Sequence, residues 1–350
     1  MTNEIFIVCF GTAIALKLVW CFKNLPKEKW QIIGSVPVKK GADNKWKGIN
    51  FTYYGLFNAN AFALATTVFF VLLGGMGIPE PAILMTVAAY LGICMPASSL
   101  IAKLVEKKSY TFTVAGATFV GIIMGPWLIL LLDNITGIWM GVDLPVIPVL
   151  ASLSIAYTFG EGAGRLACIS FGCCYGKPVC EVHPVLRRFF RKISFTFYGK
   201  TKKIAYAGGL EGERVIPVQA ITSVIYIIAG LGGAYFFLRG HYFFAFMLTI
   251  CITQLWRFLS EFLRADHRGG RKISAYQIMS ITMVIYSAVI LPFFPSQHPV
   301  RPDIIAGLKS LWTPGLILFI QGIWIVSFIF TGKSNVTGSS LSFHVIHENV

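Results

Sequence analysis

Charged side chains are scarce in this sequence. Only 13% of its 350 residues are Asp, Glu, Lys or Arg, and just 15 are acidic, whereas soluble domains carry about 25% charged residues. So few charges could not cover the two soluble domains that a chain of this length would otherwise suggest. Cysteine is also sparse, with eight residues, which excludes a disulfide-rich secreted scaffold. Because apolar side chains make up 55% of the chain, the composition indicates a polytopic membrane protein.

Apolar runs that are long enough to cross a bilayer recur along the whole chain. A membrane-spanning helix needs about 20 apolar residues, and nine segments meet this requirement. The sequence therefore predicts an all-α polytopic transmembrane helical bundle of about nine spans, with a small head inserted between spans five and six. We expect the first segment to be retained, because it lacks the cationic start and the cleavage site of a signal peptide. The predicted spans are 5–22, 51–74, 81–104, 111–132, 144–170, 216–238, 243–263, 275–294 and 315–330.

The basic residues lie mostly on one side of these spans. Alternate connections together carry 24 Lys and Arg residues, whereas the intervening connections carry three. The positive-inside rule makes the rich side cytoplasmic, which would place the N-terminus outside and the C-terminus inside. Nine of the 24 lie in the long insertion, where the rule holds less well, but the asymmetry persists without them. Because the basic residues are separated by apolar spans and form no single patch, we expect no nucleic-acid partner.

Ionisable side chains inside two spans are the candidates for chemistry. Glu161 and Arg165 are four residues apart near the end of span five. In span seven, Arg257 and Glu261 are also four apart, and Arg264 follows. Each set shares one helix face, and a charge at bilayer depth costs at least about 2.5–3.5 kcal/mol. Since a guanidinium binds two phosphate oxygens at once, these residues indicate a phosphodiester site. A helix-locking ion pair at Glu161 and a solvated helix end at Arg264 are the structural alternatives.

Four motifs resemble those of the prolipoprotein diacylglyceryl transferase family. The segment from Gly164-Arg165-Leu166 to Gly176-Lys177 is similar to the signature segment of the family, and its Gly-Cys-Cys-Tyr-Gly ending is similar to that of a divergent branch. The other motifs follow in the expected order on the expected spans. They are Tyr53-Tyr54-Gly55-Leu56, Ile216-Pro217-Val218-Gln219 and Arg257-Phe258-Leu259-Ser260-Glu261-Phe262-Leu263-Arg264.

The extent of the resemblance divides the chain into three parts. Residues 1–47 would form an N-terminal transmembrane helix and a basic loop. Residues 48–294 would form the transferase-like core of seven helices, with the inserted head at 175–215. Residues 295–350 would add one more transmembrane helix and a polar tail.

The resemblance implies an enzyme of the bacterial cytoplasmic membrane that needs no cofactor. It would move the diacylglyceryl group of phosphatidylglycerol, or of another anionic phospholipid, to the cysteine thiol of a prolipoprotein and release glycerol phosphate. Carried over residue by residue, Arg165 and Arg257 would clamp the phosphate, with Glu261 and Arg264 as a supporting pair. The substrate-binding positions would also include Tyr54, Gly176 and Gln219.

The chain departs from the family pattern at several positions. Cys168, Phe171 and Cys173 stand at the asparagine and glutamate positions of the family's signature segment. The His-Gly-Gly of the family is replaced by residues around Thr113-Val114-Ala115-Gly116, so no histidine is available there. Glu161 is the nearest base in its place, which makes it a catalytic candidate. Two alternatives remain open: a related transferase whose acceptor is a hydroxyl or an amine, and a phospholipid or anion transporter that uses the same arginines.

Four cysteines cluster in sequence around the signature segment. Cys168, Cys173, Cys174 and Cys180 lack both a Cys-x-x-Cys spacing and a partnering histidine pair. We therefore predict no metal site and favour apolar packing, with a disulfide or a metal as the alternatives.

The membrane side of the site is ambiguous from the sequence. The resemblance implies that the signature segment and the head face the outside of the cell, whereas the count of basic residues places the same side in the cytoplasm.

Overall fold

The computed structural model describes residues 2–106, 113–266, 273–295 and 301–350. Nine helices within these ranges are long and apolar enough to cross a membrane, which confirms the predicted all-α polytopic bundle. Five of the basic residues counted in the connections lie outside the described residues: Lys107, Lys108, Arg268, Arg271 and Lys272. The helices in chain order are α1 (Thr2–Asn24), α2 (Tyr53–Gly74), α3 (Glu80–Glu106), α4 (Val114–Met140), α5 (Val146–Phe171), α6 (Pro184–Ile193), α7 (Lys203–Gly208), α8 (Val218–Leu238), α9 (Tyr242–Ser260), α10 (Ala275–Ile290), α11 (Ile304–Ser310) and α12 (Pro314–Gly332).

Helix α5 forms the centre of the bundle and packs against α2, α8 and α9. Its most apolar stretch is 78% buried, whereas the corresponding stretches of α1 and α12 are 11% buried and face outward. Small residues allow the close approach, as is common between membrane helices: a Cβ atom at Gly160 would lie 2.8 Å from the Cβ of Ala65 in α2. The Ser154 and Thr249 hydroxyls, 2.9 Å apart, join α5 to α9 by a hydrogen bond. The most deeply buried of the nine long helices therefore carries the signature segment.

Five short strands form two antiparallel sheets at the end of the bundle where α5 terminates. Strands β1 (Ile32–Lys40) and β2 (Trp46–Thr52) form a hairpin, β3 (Phe195–Thr196) pairs with β4 (Arg214–Val215), and β5 (Lys333–Leu341) adds to β2. Strands β1 and β2 lie partly in the segment expected as a basic loop, β5 lies in the expected polar tail, and the expected boundary after residue 47 falls inside β2. Helix α2 begins at Tyr53, where the Thr52 side chain caps it, and not at residue 51.

The chain between α5 and α8 forms the predicted inserted head. Helix α5 ends at Gly172, whose φ of 70° lies in the left-handed region that favours glycine. Helices α6 and α7 and the β3–β4 pair follow. The buried Lys202 anchors this head, because its Nζ donates hydrogen bonds to the carbonyls of Leu25 at 3.2 Å and Ser170 at 2.5 Å. The head is thereby fixed against the ends of α1 and α5.

Candidate active site

A buried carboxylate holds two arginines together inside the bundle. Glu161 of α5 accepts a hydrogen bond from Arg165 one turn later and another, of 2.5 Å, from Nη2 of Arg257 in α9. The hydroxyl of Tyr157, one turn before Glu161, donates to the same carboxylate and accepts from Arg257 at 2.8 Å. Glu161 and Arg257 are 9% and 8% exposed. Because α5 crosses α9 here, two sets of residues that are separate in sequence form one ionic cluster.

The arginines keep hydrogen-bonding capacity that the protein does not use. The guanidinium groups of both arginines pair with the single carboxylate of Glu161. The Nε atoms of Arg165 and Arg257 are buried and have no hydrogen-bond partner among the described residues. Since buried donors are nearly always paired, this cluster is suited to an anionic ligand.

A cavity of about 360 Å³ lies beside this cluster, between α2, α5, α8 and α9. Its apolar wall includes Ala61, Phe62, Ala65 and Val114, whereas the arginines supply its polar side. One cavity thus presents cations and an apolar surface together, as a charged lipid headgroup and its chains require. Seven of the eight predicted site residues line it: Tyr54, Glu161, Arg165, Gln219, Arg257, Glu261 and Arg264.

Gly176, the eighth predicted residue, does not line the cavity but supports its rim. A Cβ atom at this position would overlap the carbonyl oxygen of Ile216, so only glycine fits. Gly176 forms an isolated antiparallel bridge to Arg264, and Lys177 donates a backbone hydrogen bond of 2.9 Å to Leu263. Gly176 therefore joins the signature segment to the end of α9 by backbone contact and has no side chain for substrate.

Arg264 is held at the rim by acidic partners. Its Nε and Nη2 atoms donate two hydrogen bonds of 2.8 Å to the Asp266 carboxylate, and its Nη1 lies 4.0 Å from Oε1 of Glu261. Glu261 starts a 3-10 turn after α9, so its relation to Arg257 is not that of one continuous helix face. Glu261 and Arg264 both line the cavity, and the structure adds Asp266 as the bidentate partner of Arg264.

Gln219 and Tyr54 also line the cavity. Gln219 Nε2 donates a hydrogen bond of 2.8 Å to the Cys173 carbonyl, whereas its buried Oε1 has no partner among the described residues. The Tyr54 ring lies against Phe171, with 5.4 Å between the ring centres. Each of these two side chains is thus held by a contact with the protein and also lines the cavity.

Sequence reasoning missed Tyr157, although its position four residues before Glu161 was a usable signal. The structure also places Thr113, Val114 and Ala115 on the cavity wall, where the resemblance leads us to expect a histidine. None of the described lining residues is a histidine. The residues that replace the family's histidine therefore lie on the wall of the candidate active site.

Three of the predicted cluster of four cysteines converge on the same wall. Cys168, Cys173 and Cys174 line the cavity, and their sulfur atoms all lie within 4.8 Å of one another. Cys180 is exposed in the head. All eight cysteines belong to the described residues, and none is joined in a disulfide.

A model of a known protein family matches most of the chain. A comparison with the curated proteins found no match, and neither did one with the solved structures. The family model described as prolipoprotein diacylglyceryl transferase matches residues 45–293, which is more than two thirds of the chain and includes the whole cavity wall. The chain therefore belongs to the prolipoprotein diacylglyceryl transferase family.

Proposed function

We propose that this protein transfers the diacylglyceryl group of phosphatidylglycerol to the cysteine thiol of a prolipoprotein, in the bacterial cytoplasmic membrane. The observation that carries the proposal is the pair of arginines Arg165 and Arg257, whose buried Nε donors have no partner among the described residues and lie beside a cavity that is part apolar. A phosphodiester headgroup supplies the anion that these donors lack. Its acyl chains can follow the apolar wall formed by α2 and α4 into the bilayer.

The two arginines act on the charge that develops as the donor is cleaved. The acceptor sulfur attacks carbon 3 of the diacylated glycerol, and the bond from that carbon to the phosphate oxygen breaks. Negative charge then increases on the departing glycerol phosphate. Preorganised cations in a site of low dielectric constant stabilise such charge strongly, and a guanidinium stays protonated throughout. Arg264, Tyr54 and Gln219, which also line the cavity, would bind the rest of the headgroup.

Glu161 fits a positioning role better than the role of general base. Both of its oxygens already accept hydrogen bonds, one from Arg165 and the other from Arg257 and Tyr157. Glu161 would therefore hold the arginines in the geometry that the phosphate requires, and the acceptor thiol would lose its proton to another group.

The test uses the purified full-length protein in lipid nanodiscs with headgroup-labelled phosphatidylglycerol. We expect release of labelled glycerol phosphate only when a peptide with a lipobox cysteine is added, together with a peptide mass increased by one diacylglyceryl group. Arg257→Lys should lower this rate by about 10²-fold, whereas Arg239→Lys, at the opposite end of the bundle, should not change it. Release without the peptide would instead support another acceptor, and binding without release would support a transporter.

A further inference from the structure

The cavity wall contains three cysteines arranged as ligands for a metal ion. The sulfur atoms of Cys168, Cys173 and Cys174 lie within 4.8 Å of one another. A tetrahedral zinc ion with Zn–S bonds of about 2.3 Å holds its sulfur ligands about 3.8 Å apart. Small side-chain rotations would bring the three sulfurs to this spacing. Thiolate ligands favour zinc over the harder divalent cations.

The local backbone brings the three thiols together from a short stretch of chain. Cys168 lies in the last turn of α5, and Gly172 then reverses the chain. Cys174 has a φ of 56°, which is uncommon for a residue other than glycine. The hydrogen bond from Gln219 to the Cys173 carbonyl fixes the loop between these two residues. This conformation brings the side chains of Cys173 and Cys174 together with that of Cys168 on the cavity wall.

The surrounding charges suit a zinc ion with three thiolates. Such a group carries a net charge of −1, which is costly at this depth without cations nearby. Arg165 and Arg264 line the same cavity as Cys168 and Cys174. The arginines of the cavity would thus lower the energetic cost of this negative charge.

The proposed transferase needs a group that activates the acceptor thiol. A thiol has a pKa of about 8.5 and is mostly protonated at neutral pH. No described residue of the cavity wall is a histidine, and the oxygens of Glu161 are engaged by the arginines and Tyr157. A zinc ion deprotonates a thiol that coordinates it, and three protein ligands leave the fourth position of a tetrahedral site open.

We propose that Cys168, Cys173 and Cys174 bind a zinc ion whose fourth position takes the acceptor thiol as a thiolate. This inference rests on the proposed function and differs from the sequence prediction of no metal site. The acceptor thiol releases its proton to water at the cavity mouth when it binds zinc. Its sulfur then forms the bond to carbon 3 of the glyceryl group, while the electron pair of the breaking C–O bond leaves with glycerol phosphate. The neutral thioether is a weak ligand, so water replaces it on the zinc.

The first test measures metal content by mass spectrometry in protein that is purified without chelators and incubated with zinc under reducing conditions. We expect about one zinc ion per chain. The single variants Cys168→Ser, Cys173→Ser and Cys174→Ser should each lose most of it. The matched controls Cys180→Ser and Cys251→Ser, whose sulfurs lie outside the cluster, should keep it. Unchanged stoichiometry in all three cluster variants would overturn the proposal.

The second test needs neither a variant nor enzyme activity. Wild-type protein that is loaded with Co²⁺ should show a thiolate-to-cobalt charge-transfer band and the intense visible bands of a tetrahedral site. A lipobox peptide should strengthen the charge-transfer band as a fourth thiolate binds, and the same peptide with serine in place of cysteine should not. The proposal would be overturned if the bands are absent or if they do not respond to the cysteine peptide. It would also be overturned by a disulfide between cluster cysteines in the purified protein. Because these readouts do not depend on catalysis, a bound and responsive metal in a protein that releases no glycerol phosphate would contradict the transferase proposal alone.

Discussion

Glu161 is the common partner of both arginines that face the cavity. If it positions them, Glu161→Gln should lower kcat/KM by about 10²-fold and leave the shape of the pH–rate profile unchanged. The loss of one partner from a buried ion pair costs about 3–5 kcal/mol, so we also expect a lower melting temperature in nanodiscs. Rates across the pH range and thermal unfolding curves measure both effects.

The exposed Glu213 in the head provides the matched control for this substitution. Glu213→Gln should change neither the rate nor the melting temperature. Loss of only the limb of the pH profile on which a base must be deprotonated would show that Glu161 acts as a general base. Full activity of Glu161→Gln would exclude both roles.

Lys202 gives the head a stability that depends on pH. Burial lowers the pKa of its ammonium group from 10.5 to about 8, although the nearby Glu28 opposes this shift. Between these two pH values the unfolded chain binds more protons at this site than the folded one, so stability should rise with pH. The gain is at most about 3 kcal/mol. The free energy of unfolding of the wild type, measured relative to that of Lys202→Met, should therefore increase as the pH rises from 8 to 10.5.

Lys200→Met, at an exposed position of the same loop, is the control for Lys202→Met. It should follow the pH dependence of the wild type across the whole range. If Lys202→Met also follows the wild type, the buried ammonium group does not cause the dependence.

At the residue scale, the sequence could identify the arginines but not their partners. Arg165 and Arg257 stand out because charge inside an apolar span is costly. The spacing of four residues suggested Glu261 as the partner of Arg257, yet Glu161 pairs with both arginines. This pairing depends on the rotation of α5 relative to α9, which the periodicity of a single helix does not contain. Likewise, the spacing of the cysteines gave no sign that three of their sulfurs meet at one point.

Among the structural elements, the contact at Gly176 connects the head to α8 and α9. Gly176→Ala would add a methyl group that overlaps the Ile216 carbonyl oxygen. Such overpacking costs typically about 1–3 kcal/mol, and it would also displace Arg264 through the backbone bridge. We expect a lower melting temperature and a higher KM for phosphatidylglycerol in the transferase assay.

Gly322→Ala is a suitable control, because no atom lies within 4 Å of the added methyl group. It should leave both quantities unchanged. A Gly176→Ala variant with normal stability but a raised KM would show that the strain is relieved locally at the cavity rim. If both quantities stay normal, the close contact at Gly176 has no role.

The helices could be predicted from sequence far better than the strands. Each span is signalled by its own run of apolar residues, so all nine were found. Strand β5 instead pairs with β2 across almost the whole chain, as in the Gly48–Ser339 pair. Neither strand has a strong alternating pattern, and their charged and polar residues are equally typical of a solvated loop. Pairing between the ends of a chain is a tertiary property that local composition does not reveal.

On the scale of the whole molecule, many of the basic residues lie in or beside the sheet and in the inserted head. The segment before α2 and the tail after α12 belong to one sheet, and the head packs against the same end of the bundle. Many of the basic residues counted for the positive-inside rule thus belong to folded units. The rule applies to short loops, and folded domains cross a membrane largely regardless of charge. The charge count therefore carries less weight than the proposed chemistry, whose acceptor is outside the cell.

We accordingly expect the head, the sheet and the tail to face the cell exterior. Glu348→Cys places a thiol in the exposed tail, and Asp143→Cys places one in the exposed connection at the opposite end, between α4 and α5. In a Cys180→Ser background, a membrane-impermeant maleimide should label the tail thiol in intact cells but reach the other site only after the membrane is opened. The reverse result would support the positive-inside orientation. It would also place the cavity mouth in the cytoplasm, where a secreted prolipoprotein could not present its thiol, and so contradict the proposed acceptor.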